Sequence, residues 1–358
     1  MRNFLTGTTV VAIAGLALAG CSAAGPTTAP GGGSSASGGA STTTRACVIL
    51  PDAKSSPRWE NGDRPALKKA FESAGFTTDI QNAQNDTEKF ATIAEQQLSK
   101  GCGVMLLVDL QGAGITVAQK AKSQGIPVIA YDRPIKGADY YVSFDNFRVG
   151  ELEGQMIVDG LKAEGKDPKT AKVVYLGGDP SDGNAKQFAD GAAKVMSAAG
   201  IKPAFTAKGT WDTDKASTYF EQAYTALKGE VDAVWVANDA NAASVIQILD
   251  KNGKKVPVSG QDGAVAALQN ILLGKQTATV YKPFQLEADQ ASKLAIALLK
   301  GEKPTAPKTA ADGTPFFAET PIVVTAKNIQ QIIDDGNAKA AEICTGDAKA
   351  ACAKNSIK

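Results

Sequence analysis

Four short apolar runs in this chain end in the same way, and that repetition limits what the chain can fold into. Val104-Met105-Leu106-Leu107-Val108 runs into Asp109, and Val128-Ile129-Ala130-Tyr131 runs into Asp132-Arg133, with Pro134 as a stop. Ala233-Val234-Trp235-Val236-Ala237 leads to Asn238-Asp239, and Val256-Pro257-Val258-Ser259-Gly260 leads to Gln261-Asp262. From the opening run Cys47-Val48-Ile49-Leu50-Pro51 onward, strands alternate with helical stretches expected at 65–74, 87–100 and 115–123. Gly75, Gly101 and Gly125 stand just past these helices, where a C-terminal cap favours positive φ. Repeated β-α units of this length make a parallel sheet covered by helices on both faces. Ligands bind such a sheet beyond the carboxyl ends of its strands, which is where the polar pairs stand. A carboxylate accepts from two neighbouring hydroxyls and a guanidinium donates through a fixed fork, so the set suits a polyhydroxylated ligand. Each of these acids and amides alone reads better as a helix N-cap; together they read as a site.

A second β-α series follows Tyr140-Tyr141-Val142-Ser143-Phe144-Asp145-Asn146. Its helices are expected at 149–161, 185–199, 215–227, 242–251 and 265–273, and its strands at 172–176, from 205, at 233–237 and at 257–259. The helix at 286–300 and the run Pro321-Ile322-Val323-Val324-Thr325 return late, as if finishing earlier sheets. At 358 residues the chain exceeds one ordinary core and suits two lobes. Two similar lobes joined by several crossings make a hinge-and-cleft body.

Composition removes several classes of function. A net charge of +1 with no basic run argues against a nucleic-acid partner. The chain has no His, which removes the commonest general base, the Ser-His-Asp triad and most zinc sites. Neither a catalytic residue nor a metal site is expected. Gly177-Gly178 resembles a phosphate-cradling turn, but no Gly-Lys-Ser/Thr follows it and no GxGxxG occurs, so no nucleotide cofactor is expected. Asp179, Asp182 and Asp190 lack EF-hand spacing.

The amino-terminal segment marks the chain for export. Arg2 precedes the apolar run at 10–18, which has the length of a secretory signal and is too short to span a bilayer. It ends in Leu18-Ala19-Gly20-Cys21, which resembles a bacterial lipobox with Cys21 as the lipidated residue. Residues 22–44 are Gly, Ser, Thr, Ala and Pro without charge and read as a flexible tether. Five Cys less Cys21 leave four, with three possible pairings. Cys47 opens the first strand and Cys102 precedes the third; in a 2-1-3 strand order these are neighbours within disulfide reach. Cys344 and Cys352 would then close a small loop, in the compartment where disulfides persist.

From Val48 to about Ile333 the chain resembles the periplasmic sugar-binding proteins that feed ABC transporters, and within them the xylose-binding and multi-sugar aldose-binding group. The resemblance rests on Arg58-Trp59, Ala130-Tyr131-Asp132-Arg133, Ser143-Phe144-Asp145-Asn146-Phe147 and the stretch at 176–186. It continues in Ala237-Asn238-Asp239-Ala240, Ser259-Gly260-Gln261-Asp262, Thr279-Val280-Tyr281-Lys282-Pro283 and Thr320-Pro321-Ile322-Val323-Val324. It implies a type I periplasmic binding protein fold, α/β, with two Rossmann-like lobes of parallel sheet joined by a three-segment hinge. One lobe would comprise 45–144 with 283–320 and the other 145–282 with 321–343, leaving 344–358 as a tail. Position by position, the resemblance places the ligand on Arg58, Asp132, Arg133, Asn184, Trp211, Asn238, Asp262 and Lys282, with Lys54 a further candidate. The segment 209–214 lacks the second Trp that the xylose group often shows nearby.

The resemblance implies a lipid-anchored, extracytoplasmic, monomeric binding protein without a cofactor, which passes D-xylose or a related aldopyranose to an ABC permease. Glucose, galactose or arabinose, or a role as sugar sensor for a membrane receptor, are the alternatives. A sugar-responsive repressor would carry a helix-turn-helix where this chain has a signal and a tether. A glycosidase needs paired carboxylates across a cleft, whereas the acids here alternate with Arg, Asn and Lys.

Overall fold

The computed structural model describes residues 44–53 and 56–358. The signal segment, Cys21, all of the tether but Thr44, and the candidate Lys54 lie outside the described residues. Twelve strands occur among the described residues, in chain order β1 (Arg45–Leu50), β2 (Thr77–Asn82), β3 (Val104–Leu107), β4 (Val128–Tyr131), β5 (Tyr140–Phe144), β6 (Val173–Leu176), β7 (Pro203–Ala207), β8 (Ala233–Val236), β9 (Thr279–Tyr281), β10 (Lys308–Thr309), β11 (Pro315–Glu319) and β12 (Ile322–Val324). Seven form one sheet in the order β10-β11-β5-β4-β3-β1-β2, parallel except for the edge strand β10. Three form a second, parallel sheet in the order β7-β6-β8, and β9 pairs antiparallel with β12.

Both faces of the main sheets are apolar, as helix-covered parallel sheets require. In the first sheet, Cys47, Ile49, Met105, Leu107, Val128 and Ala130 pack on one side. Their neighbours Val48, Leu50, Leu106, Val108, Ile129 and Tyr131 pack on the other. In the second, Val174, Leu176, Val234 and Val236 face one core, and Val173, Ala233, Trp235 and Ala237 face another. β2, β1 and β3 are adjacent, and Cys47 is bonded to Cys102 with Cα atoms 5.8 Å apart. Cys344 is bonded to Cys352 at a Cα separation of 5.7 Å. The residues around that bond, set apart in the sequence as a tail, include the helix Ala348–Lys354 and pack in one apolar cluster with Tyr281, Leu268 and Val324.

Two sequence readings change. The strand expected at 257–259 is reduced to a single bridge, Val234 to Val258. Pro257 has no N–H to give the ladder, and the Ser259 hydroxyl takes up both the N–H and the carbonyl of Val236, at 2.8 and 3.0 Å. The helix expected from 65 begins earlier: the polar stretch after Pro51 ends in a wide helical turn, Trp59–Asp63, that continues into the helix Arg64–Ser73. Strands β10 and β11 were not expected; β11 extends the first sheet beside β5.

Candidate ligand-binding site

The carboxyl ends of the first sheet carry a dense group of charges. Asp132 follows β4 with φ of +62°, a left-handed conformation uncommon for a residue with a side chain. Several bonds hold it there: its N–H donates to the Val142 carbonyl at 2.8 Å, and its own carbonyl accepts from Ser143 Oγ at 2.7 Å and Asn184 Nδ2 at 2.9 Å. Its carboxylate accepts from Arg58 Nη1 at 2.9 Å. The rest of the Arg58 fork is held from behind, by Asp63 through Nε and Nη2 at 2.8 Å each and by Glu287 through Nη2 at 2.7 Å. Tyr131 donates its hydroxyl to the same Asp63 carboxylate. Burial works against the charge on Arg58, but Asp63, Glu287 and Asp132 outweigh it and raise its pKa well above the usual value. Burial also pushes Asp132 up, yet Arg58, Lys282 and Arg133 win and hold it below the ordinary carboxylate range. Glu287 goes the other way: burial, with Asp132 and Asp63 adding to it, raises its carboxyl well above the usual range. Arg133 donates to the Asp109 carbonyl at 3.0 Å and pairs with Asp182 at 3.2 Å.

The facing residues come from the second sheet and its helices. Asp182 caps the helix Gly183–Ala198, which carries Asn184 into bonds with Asp132. This helix lies unusually close to the helix Asn146–Ala163, because Gly150 and Gly191 leave room for each other's backbones where a Cβ would overlap a carbonyl. Trp211 donates its indole N–H to Asp182 at 3.0 Å, with its ring edge-on to Phe188 and laid over Gly178, where a Cβ would collide with it. Asp262 has φ of +104° and pairs with Lys282 at 3.1 Å. Burial opposes the Lys282 charge, but Asp262 and Asp132 raise its pKa above the usual value. Beneath them Asp239 binds Gln276, Thr279 and the Ala264 N–H; burial first, then the Asp262 carboxylate, pushes its pKa up to about 7.

Arg58, Asp132, Arg133, Asn184, Trp211, Asn238, Asp262 and Lys282 all line one small cavity. The cap reading holds for Asn238, whose side chain accepts from the Asn241 N–H at 3.0 Å, but that residue lines the cavity as well. Asp109 is not at the cap position, which is Gly112, but its carboxylate accepts from the Gly112 and Gly114 N–H groups at the start of the helix Ala113–Ser123. Asp109 belongs instead to a larger groove that meets the cavity at Arg133, Asp182 and Trp211. Sequence reasoning passed over Ser56, Trp59, Phe188, Asp182 and Gln261, which complete the wall. Trp59 stands beside Arg58 in the motif and places its ring 4.5 Å from that guanidinium. Gln261 was readable at its strand end; its Nε2 donates to the Ala237 carbonyl at 2.8 Å, and its Oε1 is buried with no hydrogen-bond partner among the described residues. Asp63 and Glu287 carry no sequence signal, since they sit in helical surroundings behind the wall.

This arrangement has known counterparts. The family described as the periplasmic binding protein domain matches residues 47–303. The D-xylose-binding periplasmic protein of Haemophilus influenzae is 38% identical over 293 residues, covering 78% of this chain and 86% of that one. A multiple sugar-binding periplasmic receptor of Rhizobium radiobacter is 31% identical, over 81% of this chain and 89% of its own length. Among solved structures, a carbohydrate transporter solute-binding protein of Chloroflexus aurantiacus, in complex with D-glucose, superposes with a TM-score of 0.75 at 27% identity, covering 83% of this chain and 97% of that one. The relatives are binding proteins rather than enzymes, and the fold they share is the two-sheet α/β arrangement described above. With a family match over most of its length, the chain belongs to the periplasmic binding protein domain family.

Proposed function

We propose that this chain is a lipid-anchored, extracytoplasmic solute-binding protein that captures a monosaccharide, D-xylose or a related aldopyranose, and presents it to an ABC permease. The observation that carries the reading is the convergence of all eight sequence-derived residues, Trp211 among them, on one cavity to which Trp59 adds a second indole ring. Asp132 and Asp262 accept from hydroxyls, while Arg58, Arg133 and Lys282 donate to hydroxyl or ring oxygens. Asn184 and Asn238 offer amide groups, and Trp59 and Trp211 offer flat apolar faces to the C–H side of the ring. In this reading residues 45–144 with 283–320 form one lobe, and 145–282 with 321–343 form the other. The bonds from Asn184 to Asp132 and from Arg133 to Asp182 then join the two lobes, and contacts made only when they meet favour closure on the sugar. The protein acts as a monomer held by lipid on Cys21.

A panel of monosaccharides in a thermal-unfolding screen, followed by calorimetry, tests the reading. D-xylose at about 100 times its dissociation constant adds roughly 2.7 kcal/mol of stability. A relative that takes multiple sugars favours including glucose, galactose and arabinose in the panel. If no monosaccharide raises the unfolding temperature, the reading is wrong. For the anchor, Cys21→Ala releases the protein from the membrane fraction; unchanged partitioning would remove the lipid.

A further inference from the structure

Resting on the sugar-binding reading, we propose that Asp63 and Glu287, which stand behind the cavity, are positioning residues that fix the Arg58 guanidinium with one N–H left for the ligand. They thereby select a neutral polyhydroxylated molecule over an anionic one.

The donor count leads there. A guanidinium has five N–H groups in a fixed fork. Nε and one Nη2 hydrogen go to Asp63, the second Nη2 hydrogen goes to Glu287, and one Nη1 hydrogen goes to Asp132. Among the described residues one Nη1 hydrogen remains without a partner, on the nitrogen shared with Asp132, which itself lines the cavity. Asp63 and Glu287 are themselves fully buried, so neither can turn to water and release the arginine. They come from distant parts of the chain, the turn Trp59–Asp63 and the helix Phe284–Leu299, and Tyr131 ties Asp63 to the end of β4.

A single N–H matches a hydroxyl or a ring oxygen. A carboxylate or phosphate draws its strength from two parallel donors, and the Nε/Nη2 edge that would supply them is spent. The other cavity cations are engaged too, Arg133 with Asp182 and Lys282 with Asp262. An anion in the cavity therefore meets Asp132 and Asp262 with no unpaired cation among the described residues to offset them.

The test is calorimetry on the full chain with two pairs of probes matched in carbon count, D-glucose against D-glucuronate and xylitol against D-xylonate, with D-xylose alongside. Wild type is expected to favour the neutral member of each pair by about a hundredfold or more, since like-charge juxtaposition costs several kcal/mol. Asp63→Asn and Glu287→Ala are expected to weaken D-xylose by about 10- to 100-fold, the worth of one charged hydrogen bond. Both should also narrow the neutral-to-anionic preference, which a purely structural role would leave alone. Glu287→Gln, which keeps an acceptor for Nη2, restores the wild-type preference. Should Asp63→Asn fail to fold, the Glu287 pair decides. An unchanged preference in Glu287→Ala, or a wild type that takes either anion as tightly as its neutral partner, overturns the inference while leaving sugar binding intact. A wild type that binds no neutral sugar removes the reading beneath it as well.

Discussion

The two walls of the cavity are built on different principles. On the first-sheet side Arg58 is locked to Asp63, Asp132 and Glu287, all with side chains no more than 9% exposed. On the second-sheet side the polar groups are the amides Asn184, Asn238 and Gln261, the cap Asp182, and the Asp262–Lys282 ion pair, in which the Asp262 side chain is 20% exposed. Removing one member of a buried ion group leaves its partners charged and unpaired, at a cost of about 3–5 kcal/mol. A partly solvated acid at a strand end leaves little behind when it is cut away. The first wall should therefore serve stability and binding together, and the second should serve binding almost alone.

The largest expected effect is at Arg58. Arg58→Ala leaves three buried carboxyls facing one another, so the ligand-free protein should lose about 3–5 kcal/mol in urea unfolding. D-xylose binding should disappear from calorimetry at the same time. If Arg58→Ala unfolds like wild type without ligand, the ion group is not structural and the contrast between the walls fails.

Asp262→Ala should separate the two properties. Two hydrogen bonds to a charged group, at roughly 1.5–3 kcal/mol each, put the loss of affinity at a hundredfold or more. Ligand-free stability should stay within about 1 kcal/mol of wild type, because Lys282 keeps the attraction of Asp132. An affinity within a few-fold of wild type would take Asp262 out of the site.

The same contrast explains what could be read in advance. Residues that face the cavity interrupt apolar strands at their carboxyl ends, so Asp132, Arg133, Asn238 and Asp262 stand out against Val, Ile and Ala. The α/β alternation was legible because both faces of each buried sheet must be apolar. Asp63 and Glu287 act through another side chain; nothing in their helical surroundings separates them from solvated acids such as Glu72. Trp59 was visible as part of a motif, but its role depends on a helical turn that the polar loop composition hid. The strand at 257–259 was lost to a side chain, Ser259, satisfying groups that a ladder would have used. A pattern reading assigns such groups to backbone partners by default.

The smallest expected effect tests whether one residue of the second wall belongs to both categories. Asn238 spends its Oδ1 on the Asn241 N–H, so its amide hydrogens are what it can offer a ligand. Asp is as good an N-cap as Asn, yet a carboxylate cannot donate. Asn238→Asp should therefore keep ligand-free stability within a few tenths of a kcal/mol, as far as the cap alone decides it. D-xylose affinity should fall by roughly 5- to 10-fold, the worth of one neutral hydrogen bond at about 1 kcal/mol or slightly more. Asn238→Ala removes the cap as well and should cost about 1 kcal/mol of stability with a similar loss of affinity. Urea unfolding and calorimetry on the two variants distinguish the roles. Should Asn238→Asp bind D-xylose as wild type does while Asn238→Ala is merely less stable, Asn238 is a helix cap that happens to border the cavity. The second wall would then rest on Asp262, Lys282 and the indole of Trp211.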